Sequence, residues 1–308
     1  MFRSKTLTGA IGLLLLLTLG LLPSQALAEL SVVATTTDLG SMAEQLGGEH
    51  VSVYTLTRPL EDAHYLDATP GMITRTSYAD VFIQNGMELE VGWIPEVLRQ
   101  TRNRDVRPGG PGYVDASRGI QAIQVPDEMD RAQGDVHKDG NPHYTLDPIE
   151  AQQAARNIVE ALEAQDPENA EVYRENLEEF IEEAEELVEQ YQEKFEPHRG
   201  TELIIYHEHF DYMLRRLEIE VTDSIEPLPG VAPSARHIAG LIDSYSGDEN
   251  VKMVIMEPWH NERMARQVAE GIDVPLLQLC PAVGCEDTGN IFELFEHNAD
   301  QMLQVLEE

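Results

Sequence analysis

Residues 168–196, ENAEVYRENLEEFIEEAEELVEQYQEKFE, lie near the middle of a 308-residue chain. Apolar residues recur in this stretch at steps of three and four, which predicts one long helix with a single apolar face. The residues on that face are Tyr173, Leu177, Phe180, Ala184, Leu187, Tyr191 and Phe195. Pro167 can occupy the first helical turn, and Pro197 and Gly200 end the helix. The other face is dense with Glu and is expected to be solvated.

Short apolar runs typical of β-strands lie on both sides of the long helix. Three runs precede it and three follow it, and the stretches between them have helical character. The runs are LSVVATT (30–36), VSVYTL (51–56), ADVFIQNG (79–86), ELIIYH (202–207), VKMVIME (251–257) and VPLLQL (274–279). This alternation predicts an α/β fold with two lobes of mainly parallel sheet and flanking helices, joined by the long helix.

These elements divide the chain into four parts. We expect a signal peptide over residues 1–28, a first lobe over 29–165, a linking helix over 166–199 and a second lobe over 200–308. A rigid helical joiner predicts little hinge closure between the lobes. The stretches predicted to be loops, from their Pro, Gly and turn-forming residues, are 104–119 and 130–141.

The first 28 residues have the features of a secretory signal peptide. Arg3 and Lys5 form a positive segment, IGLLLLLTLGLL is an apolar core, and Ala-Leu-Ala at 26–28 is a small-x-small cleavage site. The apolar core is too short for a comfortable membrane span, although an uncleaved anchor is the alternative. We therefore expect a periplasmic protein that starts at Glu29 and has no membrane span after cleavage.

The chain is strongly acidic, with 56 Asp and Glu against 21 Lys and Arg and a net charge of −35. Two of the basic residues and none of the acids lie in the signal segment, so the mature chain carries −37. Such a surface repels nucleic acid and anionic membranes, which argues against both as partners. Scattered carboxylates stay hydrated and choose poorly among metals, so they are interpreted as a solvated surface rather than as a cation site.

Three histidines lie where ligands collect in open α/β sheets, beyond the carboxyl ends of strands. His64 comes shortly after VSVYTL, His207 directly follows ELIIY, and His143 lies in NPHYTLDP (141–148), ahead of a helix starting near Pro148. Neutral imidazoles converging from different loops are a natural site for a borderline cation such as Zn²⁺. The competing interpretation of each residue is a loop or capping histidine.

Six segments, in order along the mature chain, carry a resemblance to known proteins. They are RPLEDAHYLDATP (58–70), YADVFIQNGMELEVGW (78–93), NPHYTLDP (141–148), HEHFDYMLRRLEI (207–219), IEPLPGVAP (225–233) and VIMEPWHNERMARQVAEGIDVPLLQL (254–279). Together they resemble the metal-binding solute receptors of bacterial ABC importers, the zinc/manganese class known as cluster A-I. By this resemblance His64 and His143 are metal ligands from the first lobe, and His207 faces them from the second.

The chain departs from the pattern of this family at several positions. Ala63 replaces the usual proline before the first histidine, and Asp67 stands near the usual glutamate; neither change should remove the ligand. The long His-rich loop of many zinc members is reduced to His137. His209 and His260 lie outside the ligand pattern, and we expect them to be surface residues or supports of the ligands.

The pattern leaves the fourth ligand open, because many relatives place an aspartate where this chain has Cys280. Cys280 and Cys285 are the only cysteines, and in an oxidising compartment a nearby pair most often forms a disulfide. We expect that disulfide, whereas a free Cys280 thiolate would complete a tetrahedral zinc site. With the disulfide in place, water, Glu226 or Glu257 is left to complete the ligand shell.

The resemblance implies a protein that captures Zn²⁺ with high affinity in the periplasm and delivers it to an ABC importer, composed of a permease and its ATPase. Ligand exchange is the whole mechanism, so we expect no enzymatic activity and no catalytic residue, and we expect a monomer. Three imidazoles favour zinc, because manganese prefers more oxygen ligands. A carboxylate as the fourth ligand would favour Mn²⁺ or iron instead.

Two other functions compete with transport. His207-Glu208-His209 superficially resembles a zincin, but a zincin helix needs H-E-x-x-H, and position 211 is Asp. A zinc hydrolase is therefore disfavoured, although three histidines and a water would also fit a catalytic zinc. A metal-dependent adhesion or scaffold role is the other alternative, and the sequence contains no separate binding module for it.

Overall fold

A computed structural model describes residues 29–126 and 137–308 of the chain. The predicted signal peptide, residues 1–28, and residues 130–136 of one predicted loop lie outside this part. The described residues form two four-stranded sheets with flanking helices, and every strand pair is parallel. They include no helix long and apolar enough to cross a membrane. The predicted two-lobed α/β fold is confirmed.

The first lobe is built on a sheet with strand order β2-β1-β3-β4. Its strands are β1 (Leu30–Ala34), β2 (Val51–Thr55), β3 (Val81–Gln84) and β4 (Tyr113–Asp115). Its helices are α1 (Thr37–Gly47), α2 (Pro70–Ser77), α3 (Ile94–Gln100) and α4 (Pro148–Gln165). The central strands β1 and β3 have mostly buried side chains, as parallel strands do when helices cover both faces.

The second lobe repeats this arrangement with strand order β6-β5-β7-β8. Its strands are β5 (Glu202–Ile205), β6 (Glu220–Ser224), β7 (Val251–Met256) and β8 (Leu276–Gln278). Its helices are α6 (Asp211–Arg216), α7 (Ala235–Tyr245), α8 (Glu262–Ile272) and α9 (Ile291–Leu306). In each sheet the strand order reverses between two central strands, β1 and β3 or β5 and β7. Open α/β sheets bind ligands beyond the carboxyl ends of strands at such a reversal.

Helix α5 (Ala170–Phe195) links the two lobes, as predicted. The predicted apolar face is buried, with Leu177 partly so. Pro167 lies in the turn before α5 rather than in its first helical turn. The reason is Asp166, whose carboxylate accepts the Asn169 amide at 2.6 Å and the Tyr173 hydroxyl at 2.7 Å and so holds the turn open ahead of the helix.

One hydrophobic core runs through both lobes. It contains buried residues of the central strands of both sheets, of α1 and α4, of the linking helix α5 and of the final helix α9. Two smaller clusters fill the outer faces, one in the first lobe around α3 and one in the second around α7 and α8. Because the core is shared, separating the two lobes would expose apolar surface to water. This agrees with the predicted lack of hinge closure.

Two strands, β4 and β6, are not predicted from the sequence. β4 lies inside residues 104–119, so the prediction of a loop is wrong for those three residues. β6 has the sequence EVTDS, in which no side chain is fully buried. β4 has only three residues and β6 has a single apolar residue, Val221, so neither is long or apolar enough to give a strand signal. Their pairing is decided by the neighbouring strand.

Candidate metal centre

Three histidines from three loops meet in a cleft between the lobes. His64 lies in the loop between β2 and α2, His143 lies just before α4, and His207 lies directly beyond β5. One ring nitrogen of each lies within 4.8 Å of those of the other two. The ring centroids are 5.2 to 5.7 Å apart. The structure thus brings together the three residues predicted as ligands, and within the described chain this group has no fourth member.

The cleft has room for one small particle beside these rings. A cavity of about 20 Å³ is lined by His64, His207, Glu226 and His260, among other residues. A space of roughly 10–15 Å³ is enough for one water molecule, so this cavity has room for a single ion or water beside His64 and His207.

The backbone around His143 is held between the lobes by the side chains before α4. Asn141 accepts the His143 N–H at 2.9 Å, and its own amide donates to the Glu208 carbonyl of the second lobe at 2.6 Å. Asp147 caps α4 and forms an ion pair with Arg216, also of the second lobe, at 3.0 Å. The segment therefore fixes His143 relative to both lobes.

His143 offers an unpaired nitrogen. Its side chain is 7% exposed, and its Nε2 has no hydrogen-bond partner among the described residues. Burial, reinforced by the neighbouring imidazoles, holds the pKa of His143 well below the usual 6.5. A buried, neutral imidazole with a free lone pair is the form that binds a metal ion.

His64 is oriented by a carboxylate. Its Nδ1 donates to Asp62 Oδ1 at 2.7 Å, and its backbone N–H donates to the same oxygen at 3.0 Å. Burial by itself would raise the pKa of Asp62, but the hydrogen bonds and charge of His64 outweigh it and lower that pKa to about 2. An ionised partner at Nδ1 leaves Nε2 of His64 as the lone-pair nitrogen.

His207 has the equivalent support in the second lobe. Its Nδ1 lies 2.9 Å from Glu226 Oε2, which also accepts the Gly230 N–H at 3.0 Å. Burial lowers the pKa of His207, but Glu226 and Glu257 outweigh burial and raise it to about 9. This imidazole therefore carries a proton at neutral pH in the metal-free protein, and a metal must displace that proton from Nε2.

Glu257 lies buried beside this second-lobe histidine. It is 0% exposed, and neither of its oxygens has a hydrogen-bond partner in the described part of the chain. The nearest nitrogen of His260 is 3.4 Å away. Burial raises the pKa of Glu257 to about 8, and the charge of the nearby His207 opposes that rise. Among the described residues, neither Glu257 nor Glu226 joins the group of three ring nitrogens.

Two further histidines, His209 and His260, lie beside the centre. His209 is buried, with its ring centroid 4.0 Å from that of His143, and its Nε2 donates to the Pro281 carbonyl at 2.9 Å. His260 stacks on Tyr206 at 4.3 Å. The expectation of a surface position is therefore wrong for His209, because the Pro281 carbonyl and the rings of His143 and Trp259 surround it. The alternative expectation, that these residues support the ligands, agrees with both positions.

His137 is the residue that sequence reasoning undervalued. Its Nε2 lies 3.2 Å from Nε2 of His64, and the two ring centroids are 5.2 Å apart. The sequence presents it only as the remnant of a loop. A single histidine in a polar stretch has no local signal that distinguishes a cleft residue from a surface one.

The predicted disulfide is confirmed, since Cys280 and Cys285 are bonded. The loop between them is fixed on both sides: the Val283 N–H donates to Asp38 of the first lobe at 2.8 Å, and the Cys280 backbone exchanges two hydrogen bonds with the Asn298 side chain. A bonded Cys280 has no thiolate to offer, so the alternative of a thiolate ligand is excluded in this state.

Comparison with known proteins identifies the family. The sequence model described as zinc-uptake complex component A, periplasmic (ZnuA), matches residues 32–305. The chain belongs to the ZnuA family.

Individual relatives of this ZnuA-family chain differ in the metal they are named for. The high-affinity zinc uptake system protein ZnuA of Bacillus subtilis (strain 168) is 26% identical over 248 residues, which cover 79% of this chain and 76% of that protein. The manganese ABC transporter substrate-binding lipoprotein PsaA of Streptococcus anginosus is 27% identical over 151 residues, 47% of this chain and 45% of PsaA. The crystal structure of a zinc-bound ZnuA deletion mutant has a TM-score of 0.76 at 22% identity and covers 90% of this chain and 98% of that one.

ZnuA-family membership confirms two predictions. The chain is a metal-binding solute receptor of the cluster A-I type, a class that works with the permease and ATPase of an ABC importer. It is a transport protein and not an enzyme. Consistent with this, His207 and His209 lie in a turn before α6 and not on one face of a zincin helix. Because the relatives include zinc and manganese systems, the family establishes metal binding without fixing the metal.

Proposed function

We propose that the protein captures Zn²⁺ in the periplasm through His64, His143 and His207 and releases it to the permease of an ABC importer. One observation carries this proposal: ring nitrogens from three loops of two lobes lie within 4.8 Å of one another. No packing requirement groups three imidazoles in a cleft, and a borderline divalent cation is the ligand that such a group binds best.

The carboxylates behind the rings support the same proposal. Asp62 and Glu226 each occupy the Nδ1 side of a histidine, at 2.7 and 2.9 Å, and so direct Nε2 to the cleft. Metal-bound histidines usually donate their second ring nitrogen to a carboxylate, which fixes the ring and strengthens the ligand. His64 and His207 have this support without any metal.

Zinc fits this donor set better than manganese does. All three donors are imidazole nitrogens, and two nearby acids are committed elsewhere, Asp62 to His64 and Glu226 to His207 and Gly230. Mn²⁺ and Fe²⁺ favour sites with more oxygen donors. A manganese or iron receptor is the second candidate, and the observation that favours it is the unpartnered Glu257 behind His207.

The release step is proposed to use the permease rather than a hinge within the protein. The shared core and hydrogen bonds between the lobes, such as Asp38 to Val283 at 2.8 Å, resist separation of the lobes. We infer that contact with the permease loosens the loops that carry the histidines, because loops open at far lower free energy than a packed core. The mature chain is proposed to act as a periplasmic monomer.

The test is a pair of metal titrations on the mature protein, starting from residue 29, after removal of bound metal. Zn²⁺ and Mn²⁺ are titrated separately against a chromophoric chelator at the same pH. We expect tighter binding of Zn²⁺, with one ion per chain. Equal affinities, or a preference for Mn²⁺, would replace zinc with the second candidate, and the absence of stoichiometric binding of either ion would refute the site.

A further inference from the structure

The environment of His137 assigns it to the metal centre. Its side chain is partly buried, although it follows a stretch of polar residues, and its Nε2 is 3.2 Å from Nε2 of His64. The two rings face each other, with centroids 5.2 Å apart.

The distance between the two Nε2 atoms is informative, because Nδ1 of His64 is already committed to Asp62 at 2.7 Å. Nε2 of His64 is then the nitrogen that faces His137, and the two Nε2 atoms either share a hydrogen bond or bind one cation. Two nitrogens bound to one tetrahedral Zn²⁺ at 2.0–2.1 Å lie about 3.3 Å apart. The observed 3.2 Å matches one edge of such a tetrahedron.

The backbone next to His137 is anchored to the first lobe. The Lys138 N–H donates to Glu88 Oε2 at 3.0 Å, and the Lys138 ammonium forms an ion pair with the same carboxylate at 3.0 Å. The His137 carbonyl accepts the Gly140 N–H at 3.1 Å, which closes a turn. These contacts hold His137 at the same rim of the cleft as His64.

We propose that His137 is the fourth zinc ligand and completes a site of four imidazoles. The inference rests on the proposed function and deepens it. Glu226 is held by His207, and Cys280 is held in the disulfide. The rival donor that remains among the candidate side chains is therefore the buried Glu257, which the count of coordinated imidazoles distinguishes from His137. His137 lies outside the group of three nitrogens within 4.8 Å. To bind the same ion, its Nε2 must move toward the ligand nitrogens of His143 and His207 while its distance to His64 is kept.

A fourth imidazole determines metal preference as well as affinity. With His137 bound, the ion has four nitrogen donors, which zinc accepts in a closed tetrahedron. Without His137, water fills the fourth position. Its oxygen increases the affinity of the site for Mn²⁺ relative to Zn²⁺. His137 is therefore a specificity-determining residue for the proposed transport substrate.

The experiment compares the mature protein with H137A and with H198A as a matched control. His198 lies in the turn between α5 and β5, at the end of the sheet opposite the cleft. Zn²⁺ and Mn²⁺ affinities are measured for all three, and X-ray absorption of the zinc-loaded proteins counts the coordinated imidazoles. We expect four imidazoles in the parent and in H198A and three in H137A. The zinc affinity of H137A should be at least about tenfold lower, with Mn²⁺ affinity little changed.

Two results overturn the inference, and they are distinguishable from failure of the proposed function. In the first, the parent and H137A both show three coordinated imidazoles and have the same zinc affinity. His137 would then not be a ligand, while the proposed zinc-binding function would stand. A parent that binds no Zn²⁺ would overturn both proposals. Circular dichroism of H137A separates loss of a ligand from loss of the fold.

Discussion

The two lobes share one strand order, yet their loops place different chemistry at the cleft. The first lobe contributes His64 and His143, and the ionised carboxylate of Asp62 accepts the Nδ1–H of His64. The second contributes a single ligand candidate, His207, backed by Glu226 and by the buried Glu257. The common sheet topology locates the site, whereas the loops decide which ions it accepts. A fold of this class can thus change metal without changing its framework.

The same comparison explains why two buried histidines titrate in opposite directions. Burial, together with the other imidazoles, lowers the pKa of His143 well below 6.5. His207 is also buried, but the two glutamates of its own lobe raise its pKa to about 9. In the metal-free protein the first lobe therefore offers a ready lone pair, and the second offers a protonated ring that must give up its proton.

Removal of a ligand from the first lobe should have the largest effect. His143→Ala removes a neutral nitrogen donor from which zinc displaces no proton. We expect zinc affinity to fall by at least about 100-fold, a larger loss than removal of a hydrogen bond behind a ligand causes. Competitive titration against a chelator measures it, with His198→Ala as the control. Affinity equal to that of the parent would remove His143 from the ligand set.

The pH dependence of zinc binding should reveal the second lobe. Since His207 has a pKa of about 9 without metal, it binds a proton below that pH, and zinc must compete with the proton. The apparent affinity should therefore fall by about tenfold per pH unit below pH 9, and about one proton should be released per zinc at pH 7.5. Calorimetry in buffers of different ionisation enthalpy counts the protons. If zinc binding released a proton only at pH values near 6.5 or below, as for an ordinary histidine, the glutamates would not be raising the pKa of His207.

Glu226→Gln should lower the pKa of His207, so that this histidine behaves more like His143 of the first lobe. The neutral amide keeps a hydrogen bond to His207 but removes the charge, so the pKa of His207 should fall and the pH dependence should shift downward. Above pH 9, where the proton no longer competes, zinc affinity should be about tenfold weaker than in the parent. The matched control is Glu220→Gln, on the edge strand β6 and exposed. Identical pH profiles for the two variants would refute the coupling between Glu226 and His207.

The disulfide loop should affect stability more than metal affinity. Replacing Cys280 and Cys285 by Ser opens a loop with a sequence separation of 5, and the free energy of unfolding should decrease by about 2 kcal/mol. Urea denaturation of the metal-free protein measures the loss. Zinc affinity should change little, because neither sulfur is a ligand in the proposed site. A large loss of zinc affinity at unchanged stability would instead favour a thiolate ligand.

Much of the fold could be predicted from the sequence, because its signals are local. The period of apolar residues along α5 and the six apolar runs each arise from burial of one face or of a whole strand, and the sequence pattern records that directly. β4 and β6 could not be predicted, since β4 has three residues and β6 contains one apolar residue, too little for a periodic signal. Three candidate ligands were predictable through their positions beyond strand ends and within family motifs.

The sequence by itself determined an acidic, two-lobed α/β protein with a long linking helix, a cysteine pair and histidines placed beyond strand ends. Only the tertiary structure decided which side chains share the cleft: the position of His137 next to His64, the burial of His209, and the glutamates that raise the pKa of His207. The physical reason is that burial and charge at a site depend on loops far apart in the chain. Their distances are set by packing of the whole core and leave no periodic trace in the sequence.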